Sequence, residues 1–116
     1  YASFDYFYSI DTPENKEFIS KYQALYGANT TITNLAEGAY HGVYMLKKAI
    51  EGAKSLSTED IIAAASGMEF DSPAGKLKMD ESNHHCWLNT YIGQVQEDLT
   101  YKVVAKSDGL VAPIPE

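Results

Sequence analysis

Apolar positions in this chain fall into three stripes of helical period and then switch to short runs of strand length. The longest stripe lies in TNLAEGAYHGVYMLKKAIEGA, Thr33 to Ala53. There Ala39, Val43, Leu46 and Ile50 recur at i, i+4, i+7 and i+11, which predicts one buried helix face. Tyr40 and Tyr44 widen that face, while Lys47, Lys48 and Glu51 sit off it. Gly38 and Gly42 stack four apart. Each costs roughly 1 kcal/mol in a helix, so the pair implies close approach by a neighbouring element. Asn34 is placed to cap this helix and Gly52 to end it. Glu37, in the first turn, is the residue of this helix that would face a ligand cleft.

The flanking segments follow the same rules. Tyr1 to Ser9 reads as a strand, with Phe4, Tyr6 and Tyr8 alternating against Ser3, Asp5 and Phe7. Thr12 or Asp11 then caps a helix with Pro13 at its first position and Glu14 and Glu17 near its positive end. Phe18, Ile19, Tyr22, Leu25 and Tyr26 form its apolar face, and Gly27 ends it. Ala28 to Ile32 is a polar connector. Ser57 caps a short third helix in a box-like arrangement with Asp60. Ile61, Ile62 and Ala65 are its apolar face, and Gly67 closes it.

Beyond Gly67 the pattern becomes β. FDSPAGKLKMD predicts an irregular hairpin turning on Pro-Ala-Gly. Asp80 to Cys86 is a polar loop. Trp87 to Gln96 and Thr100 to Ala105 predict a second hairpin, followed by an extended, Pro-rich tail, SDGLVAPIPE. One strand, three helices and a β-rich end make an α/β chain read as a single domain over residues 1–116. The helices need more sheet than these strands supply, which suits part of a larger α/β protein.

The chain has 116 residues, 45% hydrophobic, with a net charge of −7. That charge argues against a nucleic-acid partner, because nothing here would neutralise phosphates. No run approaches the roughly 18 apolar residues of a membrane span. The opening YASFDYFYS carries no basic-then-apolar leader pattern. Nine tyrosines read as core residues with one wet end. The lone Cys86 excludes an internal disulfide and reads as buried and inert. Asp80, Glu81, His84, His85 and Cys86 are all zinc-ligand types. Adjacent histidines in a strand point to opposite faces, however, so the cluster reads as a polar loop and no metal or cofactor is expected. A small metal-binding domain on His84, His85 and Cys86 is the weakest of the readings. There is no GxGxxG, phosphate loop or GxSxG, so no enzyme is expected.

Three ordered pieces carry a resemblance. YFYSIDTPENKEFISKYQALYG, EGAYHGVYMLKKAIEGA and FDSPAGKLKMDESNHHCWLNTYIGQV together resemble the C-terminal third of type I periplasmic binding proteins. The similar branch is the urea and short-chain amide receptors of ABC transporters, a group that includes an amide sensor of amidase operons. The resemblance implies a periplasmic-binding-protein-like I fold, with a Rossmann-like lobe, helices and C-terminal β-hairpins. Two lobes joined by three crossing segments would enclose a small polar solute and close like a hinge. Crossings would lie near Tyr8 to Asp11 and near Ile92 to Gln94. The helices would cap the N-terminal lobe and the last hairpin would return to the C-terminal one.

The same resemblance implies a non-catalytic receptor, periplasmic or extracellular, associated with the membrane through an ABC permease. Glu37, Tyr40 and Tyr8 would lie nearest the solute, urea or a short amide. An amide-sensing regulatory module of the same fold is the alternative. Two features depart from the family pattern. Most ligand contacts of the family lie upstream of the matched third. The final hairpin, which usually turns on Asp-Gly, here has Asp98-Leu99. An uncovered sheet edge and helix face would favour self-association.

Overall fold

The computed structural model describes residues 1–115. The elements run β1 (Ala2–Phe4), α1 (Pro13–Tyr26), α2 (Asn34–Ala53), α3 (Thr58–Ala65), β2 (Glu69–Ser72), β3 (Gly75–Met79), β4 (Cys86–Trp87), β5 (Tyr91–Val95) and β6 (Tyr101–Lys106). The strands form two three-stranded sheets, ordered β1-β5-β6 and β2-β3-β4, with every pair antiparallel. The α/β class and the order of helices before hairpins are as the sequence predicts.

Local chemistry sets the helix starts. Thr12 caps α1 by accepting from the Asn15 N–H at 3.1 Å, with Pro13 in the first turn. Asp11 instead pairs with Lys16 at 2.6 Å. Gly27 ends α1 at φ 100°. Thr33, not Asn34, caps α2, accepting from the Ala36 N–H at 3.3 Å, a contact of a kind that contributes about 1 kcal/mol. The helix also runs past Gly52. Lys54 closes it in the left-handed region at φ 52°, and Gly52 faces Ala64 of α3. Ser57 caps α3 as predicted.

The face that α2 buries differs from the predicted one. Glu37, Met45 and Ala49 are buried, whereas Val43 and Leu46 are 68% and 54% exposed. The periodicity shows that a face is apolar but not which neighbour covers it. In this chain α3 packs along α2 and Phe18 of α1 stacks on Tyr40, and the side that ends up buried is the one carrying Glu37, Met45 and Ala49. Gly38 and Gly42 are not sites of the close approach expected, since a Cβ built on either has nothing within 4 Å.

The first predicted strand is also shorter. Only Ala2–Phe4 pairs, with β5. Tyr6 and Phe7 are 2% and 5% exposed. Two consecutive inward side chains cannot belong to one pleated strand. A turn closed by Ile10 N–H to the Phe7 carbonyl at 3.0 Å brings Ile10 in beside them. These three join Phe18, Ile32, Ala74 and Tyr91 in the main core. Ile32, expected in a polar connector, is one of its anchors.

The predicted strand from Trp87 to Gln96 breaks in two. Trp87 belongs to one sheet and Tyr91 to the other. Between them Asn89 turns inward and donates from Nδ2 to the Lys76 carbonyl at 3.1 Å. The hairpin of β2 and β3 forms in the predicted place, with Ser72 opposite Gly75. The hairpin of β5 and β6 turns through Leu99 at φ 66°, with Asp98 Oδ1 accepting from the Thr100 N–H at 3.0 Å. The tail pairs at Val111 with Leu88, and Glu116 lies outside the described residues.

The molecule is more open than its length suggests. Its radius of gyration is 15.5 Å, against roughly 13.4 Å for a compact chain of this size. Its surface is 7602 Å², against roughly 6,300 Å² for a closed monomer of the same mass. Leu35, Val43 and Leu46 along α2 are among the apolar residues left exposed.

Candidate functional site

Three passages of chain connect the β1-β5-β6 sheet to the body formed by the helices and the β2-β3-β4 sheet. They are residues 5–12, 88–90 and 107–111. The first includes the predicted crossing at Tyr8 to Asp11. The second differs from prediction, because Ile92 to Gln94 lie inside β5 and the chain passes between sheets at 88–90. The second and third run together. Thr90 N–H donates to Ser107 Oγ at 3.1 Å, and Leu88 and Val111 exchange backbone bonds at 3.3 and 2.8 Å.

Asn15 fastens the first passage to α1. Its Nδ2 donates to the carbonyls of Tyr8 at 3.1 Å and Ile10 at 2.7 Å. Its Oδ1 accepts from the Tyr6 hydroxyl at 2.9 Å. The residue is wholly buried, and the sequence reading missed it. Its only sequence signal was a side chain able both to donate and to accept, sited in the first turn of a helix after an irregular segment. Gly93 of β5 lies against the same passage. A Cβ there would sit 2.5 Å from Cε1 of Phe7, so the sheet and the passage touch where only hydrogen fits.

The three residues expected nearest a solute occupy different surroundings. Glu37 is wholly buried at the start of α2. Both of its oxygens lie 3.0 Å from Nδ1 of His41. Burial first, and then the Glu37 charge, raise the phenols of Tyr6 and Tyr91, so both hydroxyls keep their protons. Tyr40 stacks on Phe18 with centroids 4.3 Å apart and tilts against Tyr44 at 4.8 Å. Burial, followed by the bond to Tyr44, raises its phenol as well. Tyr40 lines an open groove of about 210 Å³ with Glu14, Glu17, Tyr44, Phe70 and Asp71. Tyr8, in the first passage, is part-exposed, and its hydroxyl accepts from Gln23 Nε2 at 3.0 Å.

The polar loop at residues 80–85 is held by its own aspartate. Asp80 Oδ1 accepts from the Ser82 hydroxyl at 2.6 Å and its N–H at 2.8 Å, while Oδ2 accepts from the Trp87 indole at 2.7 Å. These bonds, with those to Ser82 the largest, pull its carboxyl down to about 2. Among the described residues, no three His, Cys, Asp or Glu side chains gather as a metal site would need. Cys86 is half-buried rather than fully buried, and burial raises its thiol, which keeps it protonated and a poor nucleophile. Among the described residues, no helix is long and apolar enough to cross a membrane.

Known proteins are similar to this chain in sequence and fold. The chain is 32% identical over 104 residues to the Leu/Ile/Val-binding protein homolog 6 of Brucella abortus (strain 2308), covering 86% of this chain and 26% of that protein. It is 33% identical over 115 residues to a Geobacillus stearothermophilus protein named limonene hydroxylase, covering 99% of this chain and 20% of that one. The ABC-transporter solute-binding protein of Rhodopseudomonas palustris HaA2, solved with p-hydroxybenzoic acid, superposes with a TM-score of 0.77 at 28% identity, over 91% of this chain and 30% of that one. A BisB5 counterpart solved with 3,4-dihydroxybenzoic acid gives 0.83 at 24% identity, over 96% and 31%, and speaks for the fold alone. The chain thus spans between a fifth and a third of these relatives. The family model described as "Periplasmic binding protein domain" matches residues 1–115, and this chain belongs to that family.

Proposed function

We propose that this chain is the C-terminal part of the solute-binding component of an ABC transporter. That component captures a small solute between two lobes and delivers it, without catalysis, to a membrane permease on the periplasmic or outer side. The observation that carries the reading is the family match over residues 1–115, joined to three adjacent passages between two separate sheets. A hinge needs such passages, because lobes move as bodies only when a few segments absorb the change.

For the solute we propose urea or a short-chain amide. The support is the ordered set SIDTPENKEF, EGAY and FDSPAG in this sequence. Tyr8, in the first passage, and Tyr40, on the groove beside α1, supply amphipathic walls for it. Glu37 supplies a buried carboxyl group at the start of α2. A second reading, an aromatic carboxylate, is favoured by the solved relative that holds p-hydroxybenzoic acid at 28% identity. Isothermal calorimetry on the receptor that carries this chain separates the two. Heat with urea or acetamide but not with benzoate or leucine is expected. Heat with benzoate alone moves the assignment to the second reading, and silence with all four removes the solute-binding role.

The exposed apolar stripe of α2 also supports self-association of the chain when it stands alone. Light scattering across a concentration series reads this directly, and a monomer throughout would refute it.

A further inference from the structure

Glu37 and His41 form a buried pair whose outer end is open. Glu37 has no exposed side-chain surface and His41 keeps 15% of its own. His41 Nδ1 is bound to Glu37. Nε2 has no partner among the described residues, yet no buried side-chain nitrogen or oxygen there lacks one. Nε2 therefore reaches the accessible surface. Gly38 and Gly42 flank His41 on the helix, and a Cβ on either would meet nothing. A side chain added at either glycine would therefore enter open space.

The position of the protons follows from the cost of buried charge. A carboxylate shut away from water must be compensated or neutralised. The neighbouring phenols do not help. Tyr6 donates to Asn15 Oδ1 and Tyr91 donates to the Ala74 carbonyl, so neither hydrogen is left for Glu37. Two arrangements leave the pair without net charge. In one, a carboxylate sits beside an imidazolium and both ring nitrogens carry protons. In the other, a carboxylic acid donates to Nδ1 and the ring proton is on Nε2. Nε2 bears a hydrogen in both. Only the arrangement that buries an uncompensated negative charge leaves Nε2 as a lone pair.

We propose that His41 presents its Nε2–H as the donor that receives an oxygen of the solute, with Glu37 as the buried positioning residue that holds the ring and its proton. The ligand chemistry is an sp² oxygen acceptor, supplied either by the carbonyl of urea or an amide or by the carboxylate of an aromatic acid. The proposal rests on the solute-binding reading above and deepens it by naming the recognition atom. Tyr6 from the first passage and Tyr91 from β5 face the pair, and both phenols are held above their ordinary value, so neither adds a second negative charge beside it.

The test uses the receptor carrying this chain, with acetamide and benzoate as separate probes. His41→Phe removes the donor, and His41→Gln keeps an amide N–H at similar reach. The expected result is about a tenfold loss of affinity for the bound probe in His41→Phe. His41→Gln should retain most of the affinity. The probe that binds identifies the source of the oxygen. Nitrogen-15 NMR of labelled wild-type histidine reads the proton on Nε2 at neutral pH and decides the matter even where His41→Phe does not fold. Unchanged affinity in His41→Phe, or a bare Nε2 in the wild type, would overturn the proposal. Absence of binding by the wild type to either probe or to urea would overturn the solute-binding reading and this inference with it, a result distinct from a loss confined to the His41 variants.

Discussion

Gly93→Ala tests how tightly the first passage is pressed against the β1-β5-β6 sheet. A Cβ at Gly93 would lie 2.5 Å from Cε1 and 2.6 Å from Cζ of Phe7. Carbon atoms prefer about 3.5–4.0 Å, so the ring would have to withdraw by about 1 Å. It has little room to do so. Phe7 is 5% exposed, with Phe4 edge-on at 5.7 Å and Tyr101 tilted at 5.3 Å. Overpacking of this kind costs about 1–3 kcal/mol. Alanine returns about 0.5–1 kcal/mol by restricting the unfolded chain, so the net loss is about 0.5–2 kcal/mol. For a chain of this length that lowers Tm by about 2–8 °C. Guanidinium chloride is the denaturant to use, because urea is the proposed solute, and Trp87 fluorescence follows the transition. The midpoint should fall with an unchanged m-value. Phe7→Leu in the Gly93→Ala background supplies the second arm. It makes room for the methyl, so the double variant should be more stable than the sum of the single losses by about 1 kcal/mol. Wild-type stability in Gly93→Ala, or strict additivity in the double variant, would refute the close approach.

Two further outcomes follow from the same passage and from the Asp80 loop. Asn15→Ala removes two buried hydrogen bonds and one part-buried bond at once and should cost about 2–4 kcal/mol in guanidinium unfolding; a loss under about 1 kcal/mol would mean that the carbonyls of Tyr8 and Ile10 find other donors. Asp80 has its carboxyl pulled from 3.8 down to about 2, so its contribution is present in full above about pH 4 and drains away as pH falls toward 2. Acid titration of Trp87 fluorescence should show that limb in the wild type and a flatter one in Asp80→Ala, whereas identical limbs would remove Asp80 as the organiser of its loop.

The candidate site was legible only in part, and the split has a consistent cause. Glu37 stands out from sequence as a first-turn acid, but its burial and its pairing with His41 depend on what packs over the start of α2. His41 carried no signal of its own, since a histidine four residues after an acid on a helix usually forms a solvated pair. Asn15 was likewise indistinguishable from an ordinary helix-start residue until the passage it holds was folded back upon it.

What the sequence determined by itself was local. Thr12, Pro13 and Ser57 start their helices because a cap acts on N–H groups within three residues of it. Ser72 to Gly75 turns because its residues prefer that turn wherever they occur. The helix periods and the change to strand length after Gly67 are equally short-range, and with them came the α/β class and the order of elements. Tertiary structure alone decided which side of α2 is buried, where the strand after Trp87 changes sheet, and that the segment after Phe4 enters the core. Each of these depends on neighbours distant in the chain. Leu46 and Met45 are equally suited to burial, and only the packing of distant elements against α2 chooses Met45. Asn89 leaves its strand because the Lys76 carbonyl is there to receive it, and no pattern of hydrophobic and polar residues around position 89 encodes that carbonyl's place.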